Sequence, residues 1–291
     1  MEPHTVQSRL KLSVIFTFFI FIIELAGGWI ANSLALMSDA AHMFADVFSL
    51  SLSWFALKVS ERPSTATKTY GYHRFEILAA FLNGLLLIVL AVGIWHEAYQ
   101  RFHHPHEVQS GIVIGVAILG LLTNLAVISF LKSPFHETND LNLKSAFYHV
   151  LGDSLASVGV IVGGVVMLYT GWYAADALIG AGIGILIVWG AKTLLSDSLH
   201  ILLEGVPRGV SVQDVERELT AIPAIRNVHE LHIWCICSNI YALSAHALVH
   251  DQKVNQARFI LDEARNMLKA KFNIAHSTIQ LESSPCANSH M

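Results

Sequence analysis

The chain has 291 residues, of which 54% are hydrophobic and 14% charged. Soluble domains average nearer a quarter charged, so this composition belongs to a membrane protein. A formal net charge of -4 excludes a general nucleic-acid binder, which needs a basic excess.

Six apolar runs approach the roughly 20 residues that a bilayer crossing requires, at about 11–31, 34–57, 75–99, 111–131, 145–169 and 175–195. The first is not a cleavable signal peptide: its apolar stretch is too long, it carries Glu24, and no A-x-A cleavage site follows. Arg9, Lys11, Lys58, Arg62, Lys68, Arg74, Lys132, Lys144 and Lys192 flank one set of helix ends. Arg101 stands alone on the other side, and the 170–174 turn has no basic residue. The positive-inside rule therefore puts both termini in the cytoplasm.

After about residue 205 the pattern changes. Gly205-Val206-Pro207 breaks the last long helix. Val254, Ala257, Leu261, Ala264 and Leu268 recur at helical spacing, which predicts an amphipathic helix over 252–272, and 211–221 reads as a shorter one. Tyr241, Leu243, Ala245, Ala247 and Val249 alternate as a strand does. Strands near 227–237, 240–250 and 276–282 complete an α-β-β-α-β order, with the helices expected on one face of a small sheet. The predicted fold is an α-helical membrane protein of six transmembrane helices (1–204) followed by a small cytosolic α+β domain (205–291).

The chemistry lies in two of the spans. Ionisable groups cost roughly 2.5–3.5 kcal/mol each at a helix centre on insertion scales, so they are functional candidates there. His42 and Asp46 are four residues apart on one helix face, and Asp39 shares it. His149 and Asp153 repeat the spacing in the fifth span. Two imidazoles and two carboxylates make a ligand set suited to tetrahedral zinc; calcium and magnesium prefer oxygen alone, and copper(I) prefers thiolates. The alternative is a pair of metal-free interhelical clasps, which would need fewer carboxylates. Asp39 is either an access-path carboxylate or a group near the membrane boundary. Sixteen histidines in the chain fit metal or proton chemistry as a class.

The segments Ser33-Leu34-Ala35-Leu36, Asp39-Ala40-Ala41-His42-Met43 with Asp46, and Tyr70-Gly71-Tyr72-His73-Arg74-Phe75-Glu76 resemble the cation diffusion facilitator family. So do Asn142-Leu143-Lys144 leading to His149 and Asp153, Leu203-Glu204-Gly205-Val206-Pro207, and Val228-His229-Glu230-Leu231-His232-Ile233-Trp234. The match spans nearly the whole chain and is nearest the bacterial zinc/cadmium/cobalt efflux branch, similar to animal zinc transporters. The resemblance implies a homodimer in the bacterial inner membrane that exports metal in exchange for protons, with a ferredoxin-like metal-binding C-terminal domain. Zinc is then both the transported substrate and a regulatory ligand. The family pattern places further ligands at His229, His246, His276 and Glu282. The chain departs from many relatives in lacking a histidine-rich loop or N-terminus: 132–144 contains only His136, and the first ten residues only His4.

Other candidates have plainer readings. Alternation along the strand puts His232 on the face opposite His229, packed beside Trp234. Cys235 and Cys237, too few with Cys286 for a disulfide scaffold, suit a buried strand face and a reduced compartment. Cys286 and His4 are candidates for a second metal position across subunits. His96, His103, His104 and His106 read as a solvated loop, Asn83 and Asn124 as interhelical hydrogen-bond partners, and Arg74 with Glu204 as an ion pair linking domains or subunits.

An intramembrane metalloprotease is excluded by the lack of H-E-x-x-H: His96-Glu97 continues Ala98-Tyr99-Gln100. The chain therefore reads as a transporter and not as an enzyme. The competing functions are a divalent-metal channel, which favours weak repeated sites, and a membrane metal sensor.

Overall fold

A computed structural model describes residues 18–137, 141–237, 240–250 and 254–284, without the side chains at 130–137, 141–146, 148–149 and 254–255. Its elements run in chain order as helices α1 (described over Phe18–Ala31), α2 (Leu34–Ser60), α3 (Arg74–His103), α4 (Ser110–Glu137), α5 (Leu141–Thr170) and α6 (Ala174–Leu202). Then come α7 (Val212–Thr220), β1 (Ile225–Cys237), β2 (Ile240–Val249), α8 (Val254–Phe272) and β3 (Ile274–Glu282). Among the described residues five helices, α2 to α6, are long and apolar enough to cross a membrane. The expected span at 11–31 falls partly outside the described residues.

The chain divides into two compact units, Met1–Ser51 with Asn83–Thr193 and Leu52–Leu82 with Leu194–Met291. The core of the first is built from small residues: Ala31, Ala35, Ala91, Ala117 and Ala175 pack with Leu36, Val113, Val160 and Met167. Small side chains let helix backbones approach where no hydrophobic effect drives them together. Gly163 of α5 makes room for Ile179 of α6, and Gly164 for Ile114 of α4; a Cβ at either position would collide.

Helix ends in apolar surroundings need partners for their unpaired backbone groups. Ser33 and Asp176 supply them for α2. The Asp176 carboxylate is 1% exposed. It accepts from Ser33 Oγ at 2.6 Å, from the Leu34 N–H at 2.5 Å and from the Ala35 N–H at 3.3 Å. Ser33 Oγ in turn accepts from the Leu36 N–H at 3.3 Å. A negative group at a helix N-terminus also complements the macrodipole. At the end of α1, the Gln109 side chain donates to Ile30 O at 3.2 Å, its backbone N–H to Ala31 O at 3.0 Å, and Arg101 Nη1 to Asn32 O at 2.7 Å. Arg101 therefore has a local task, closing a helix C-terminus.

In the second unit, α7 and α8 cover one face of a sheet ordered β1-β2-β3. β1 and β2 are antiparallel; β2 and β3 are parallel, joined by the α8 crossover. Val215 and Leu219 of α7 and Ile260, Ala264 and Leu268 of α8 pack on Val228, Ile233, Leu243, Ala245 and Ala247. Ser211 caps α7, its Oγ accepting from the Asp214 N–H at 3.2 Å. The predicted strands and helices of this region are all present, with ends shifted by a few residues.

One strand departs from simple alternation. His229 pairs with His246 but His232 pairs with Ser244, so Glu230 and Leu231 together oppose Ala245. This is a β-bulge, and Glu230 takes a left-handed backbone with φ +47°. The extra residue resets the parity: His246 and Ser244 share a face, so His229 and His232 share it too. The expected opposition of His229 and His232 is corrected on this ground. His232 and Trp234 line an open cavity of about 1000 Å³ with Tyr70, His73 and Arg74.

Cys235 and Cys237 are free thiols, 5% and 6% exposed, which accords with the core reading. Burial, and then the neighbouring Cys237, push the Cys235 thiol up, which disfavours the thiolate that a soft metal would need. Arg74 Nη2 donates to Glu204 Oε1 at 3.0 Å, an ion pair exposed enough to contribute little by itself.

Replacing Asp176 with Ala leaves the first N–H groups of α2 without their acceptor in a buried place. Loss of a charged hydrogen-bond partner of this kind costs about 2–3 kcal/mol. Thermal unfolding in detergent should show a clear fall in midpoint for Asp176→Ala, smaller for Asp176→Asn.

Candidate metal centres

The second helix brings Asp39, His42 and Asp46 to one face, and the fifth brings Asp153 to meet them. His42 Nε2 lies 3.9 Å from Asp46 Oδ2 and 4.0 Å from Asp153 Oδ1. Both distances exceed a hydrogen bond, for which about 2.7–3.2 Å is normal. They come closer to the edge of a tetrahedron around an ion with bonds of about 2.0–2.2 Å, roughly 3.3–3.6 Å. The spacing is therefore compatible with a cation between these groups. The His42, Asp46 and Asp153 side chains are 30%, 35% and 23% exposed, so an ion can reach them. The His149 side chain lies outside the described residues, as do His4, Cys286 and the side chain of His136.

Two more carboxylates stand behind this face. Asp39 is 5% exposed and close enough to Asp153 and Asp46 to feel their charge. Glu24 of α1, 2% exposed, interacts electrostatically with Asp39 and Asp153. Its Oε1 lies 2.5 Å from where a Cβ on Gly120 of α4 would stand. Gly120 thus leaves the space that the Glu24 carboxylate fills.

A second constellation forms on the face of the sheet opposite α7 and α8. Among the described residues, His229, His246 and Glu282 are a group whose ligand atoms all lie within 4.8 Å of one another. His229 Nε2 is 3.3 Å from Glu282 Oε2, and His246 Nδ1 is 2.8 Å from Glu282 Oε1. Both nitrogens are buried without a properly directed hydrogen bond. Buried polar atoms normally find partners, and two orphaned imidazole nitrogens beside a carboxylate fit a divalent cation. His276 is not brought to this group. It sits six residues before Glu282 on β3, about 20 Å at strand rise, and is exposed with its ring edge-on to Tyr70 at 6.1 Å.

The remaining candidates gather no ligand set. His103 packs on Tyr99 with ring centroids 4.4 Å apart, and His96 Nε2 contacts Gln100 at 3.3 Å. Asn83 is buried, and its Oδ1 has no hydrogen-bond partner among the described residues.

The family model described as the cation efflux transmembrane domain matches residues 10–203, and that for the cation efflux protein cytoplasmic domain matches 207–284. The chain belongs to the cation efflux, or cation diffusion facilitator, family. Metal cation efflux system protein CzcD of Cupriavidus metallidurans is 41% identical over 285 residues, covering 98% of this chain and 89% of that protein. The cadmium, cobalt and zinc/H(+)-K(+) antiporter of Bacillus subtilis is 40% identical over 262 residues, covering 90% and 84%. Zinc transporter ZitB of Escherichia coli is 36% identical over 266 residues, covering 91% and 84%. This cation efflux protein is accordingly a multi-pass membrane transporter of the bacterial zinc/cadmium/cobalt branch, not an enzyme.

Three functional candidates of this cation efflux protein escape the sequence reading. Glu24 enters it only as an argument against a signal peptide, although its cost inside an apolar run marks it. Asp176 carries the same signal at the start of α6. Glu230 has no local signal, because the bulge that aims it depends on pairing with β2.

Replacing Asp153 with Ala removes the residue that joins α5 to the α2 face. Zinc flux in proteoliposomes should fall to background in an Asp153→Ala protein that remains folded. Near-normal flux would remove this face from the mechanism.

Proposed function

We infer that the protein exports zinc, and with less preference cadmium and cobalt, from the cytosol in exchange for protons. His42, Asp46, His149 and Asp153 form its transport site, and a boundary near residue 204 separates the membrane domain from a cytosolic regulatory domain. The protein works as a homodimer in the bacterial inner membrane with both termini in the cytoplasm. The observation that carries this reading is the convergence of His42, Asp46 and Asp153 from α2 and α5 at about metal-cage spacing. The printed name of the Bacillus subtilis relative, an antiporter of zinc against protons and potassium, supports the exchange.

The chemistry follows from the donor set. A neutral imidazole binds metal and an imidazolium does not, so cation and proton compete for the same nitrogen. Facing the cytosol, the site loads zinc and sheds protons; facing outward, protons displace zinc. Returning protonated spares the membrane a face of uncompensated carboxylates. Alternating access separates the two half-reactions. In the cytosolic domain, His229, His246 and Glu282 hold a regulatory zinc, which occupies this group when cytosolic zinc rises.

Two measurements test the reading. In liposomes with zinc gradient and voltage clamped, an imposed pH gradient should change zinc flux, and added zinc should move protons the opposite way. If neither occurs, exchange is wrong even with the ligands right. Substituting His42→Asp makes the cage richer in oxygen and more tolerant of a larger ion, so competition transport should show cadmium gaining on zinc several-fold, roughly the loss of one nitrogen ligand.

A further inference from the structure

Glu230 is the carboxylate beside the cytosolic site that the three ligands do not use. In a regular strand it would face the side opposite His229, toward α7 and α8. The bulge changes that. The register steps over Glu230 and Leu231, and Glu230 holds φ +47°, a conformation that costs a residue with a side chain and that glycine or asparagine takes more readily. Its carboxylate is thereby turned to the histidine face, where Oε2 lies 3.6 Å from His246 Nε2.

His246 thus stands between two carboxylates, one at each ring nitrogen. Nδ1 lies 2.8 Å from Glu282 Oε1, on the side where His229 and Glu282 converge, while Nε2 faces Glu230. An imidazole that coordinates a cation does so through one bare nitrogen and keeps its proton on the other. The group that accepts that proton decides which nitrogen is which.

We propose that Glu230 is the positioning carboxylate of the cytosolic cation site: on closing from 3.6 Å to hydrogen-bond length it accepts the Nε2–H of His246 and so presents Nδ1, together with His229 Nε2 and Glu282, to a divalent cation. The bulge is then part of the site. It brings Glu230 to the histidine face and keeps His229 opposite His246 on the neighbouring strand. The inference rests on reading His229, His246 and Glu282 as a cation site, and it adds the residue that orients one of them.

The test uses the full chain in detergent carrying Asp153→Ala, so that the membrane face contributes little. Zinc affinity is read by competition with a chromogenic chelator, and the ligand set by cobalt(II) absorption. Loss of an outer carboxylate partner weakens metal binding by about 10–100-fold, and Glu230→Ala should show a loss in that range. Glu230→Gln, whose amide oxygen still accepts the Nε2–H, should recover most of it. At saturating cobalt the Glu230→Ala band should match the parent's, because no direct ligand is gone. Parent-like zinc affinity in Glu230→Ala overturns the proposal. A shifted cobalt band, or Glu230→Gln as weak as Glu230→Ala, overturns it in favour of direct ligation. The double variant His246→Ala with Glu282→Ala should lose this binding altogether. Undiminished binding there overturns the cation site itself, a failure distinct from that of Glu230 alone.

Discussion

Inside a bilayer no water is available to solvate a backbone end or a charge, and that scarcity organises the membrane part of this protein. Helices close their own hydrogen bonds along their length, but their ends cannot. Here the first N–H groups of α2 are met by Asp176 and Ser33, and the last carbonyls of α1 by Gln109 and Arg101. Among the described residues, four carboxylates lie near one another. Glu24, Asp39, Asp46 and Asp153 come from three helices toward His42. Like charges in a medium of low permittivity repel strongly, so such a gathering is most stable with positive charge among them. If this group is the transport site proposed above, the cargo would also relieve the repulsion among its carboxylates.

Water is at hand for the sheet of the second unit, and a different balance governs it. One face is a conventional core under α7 and α8. The other carries His229, His246 and Glu282, whose nitrogens are buried without well-directed hydrogen bonds. Burying such atoms unpaired costs about 1–3 kcal/mol each, which a bound ion would remove. Cys235 and Cys237 of the same sheet are buried and lie outside this cluster, and burial disfavours the Cys235 thiolate.

How far the amino-acid sequence discloses this arrangement depends on the reach of each signal. Long apolar runs and the i, i+4 spacing of His42 with Asp46 are local, and five of the expected spans and the α-β-β-α-β order appear as read. The cytosolic cluster is partly legible: among the described residues His229, His246 and Glu282 meet and His276 lies apart, because a family pattern names positions without measuring their separation along β3. Period-two reasoning fails at His232 for a stated reason. A bulge is a property of two strands, and nothing in Val228-His229-Glu230-Leu231 announces that one residue is extra. Asp176 and Glu24 lie in plain view as carboxylates in apolar runs, yet their partners, Ser33 and Gly120, are 143 and 96 residues away.

The Asp176 anchor has a mechanical side. It pins α2 at residues 33 to 35, while His42 and Asp46 lie farther along the same rod, roughly 12 Å and 18 Å away at 1.5 Å per residue. About that pin the helix is a lever of fixed fulcrum. A tilt of only 10° carries His42 about 2 Å and Asp46 about 3 Å, each on the order of a whole metal–ligand bond. On the transport site proposed above, release of the ion requires no unwinding and no break in α2; a small swing of an intact helix is enough to pull His42 and Asp46 off it.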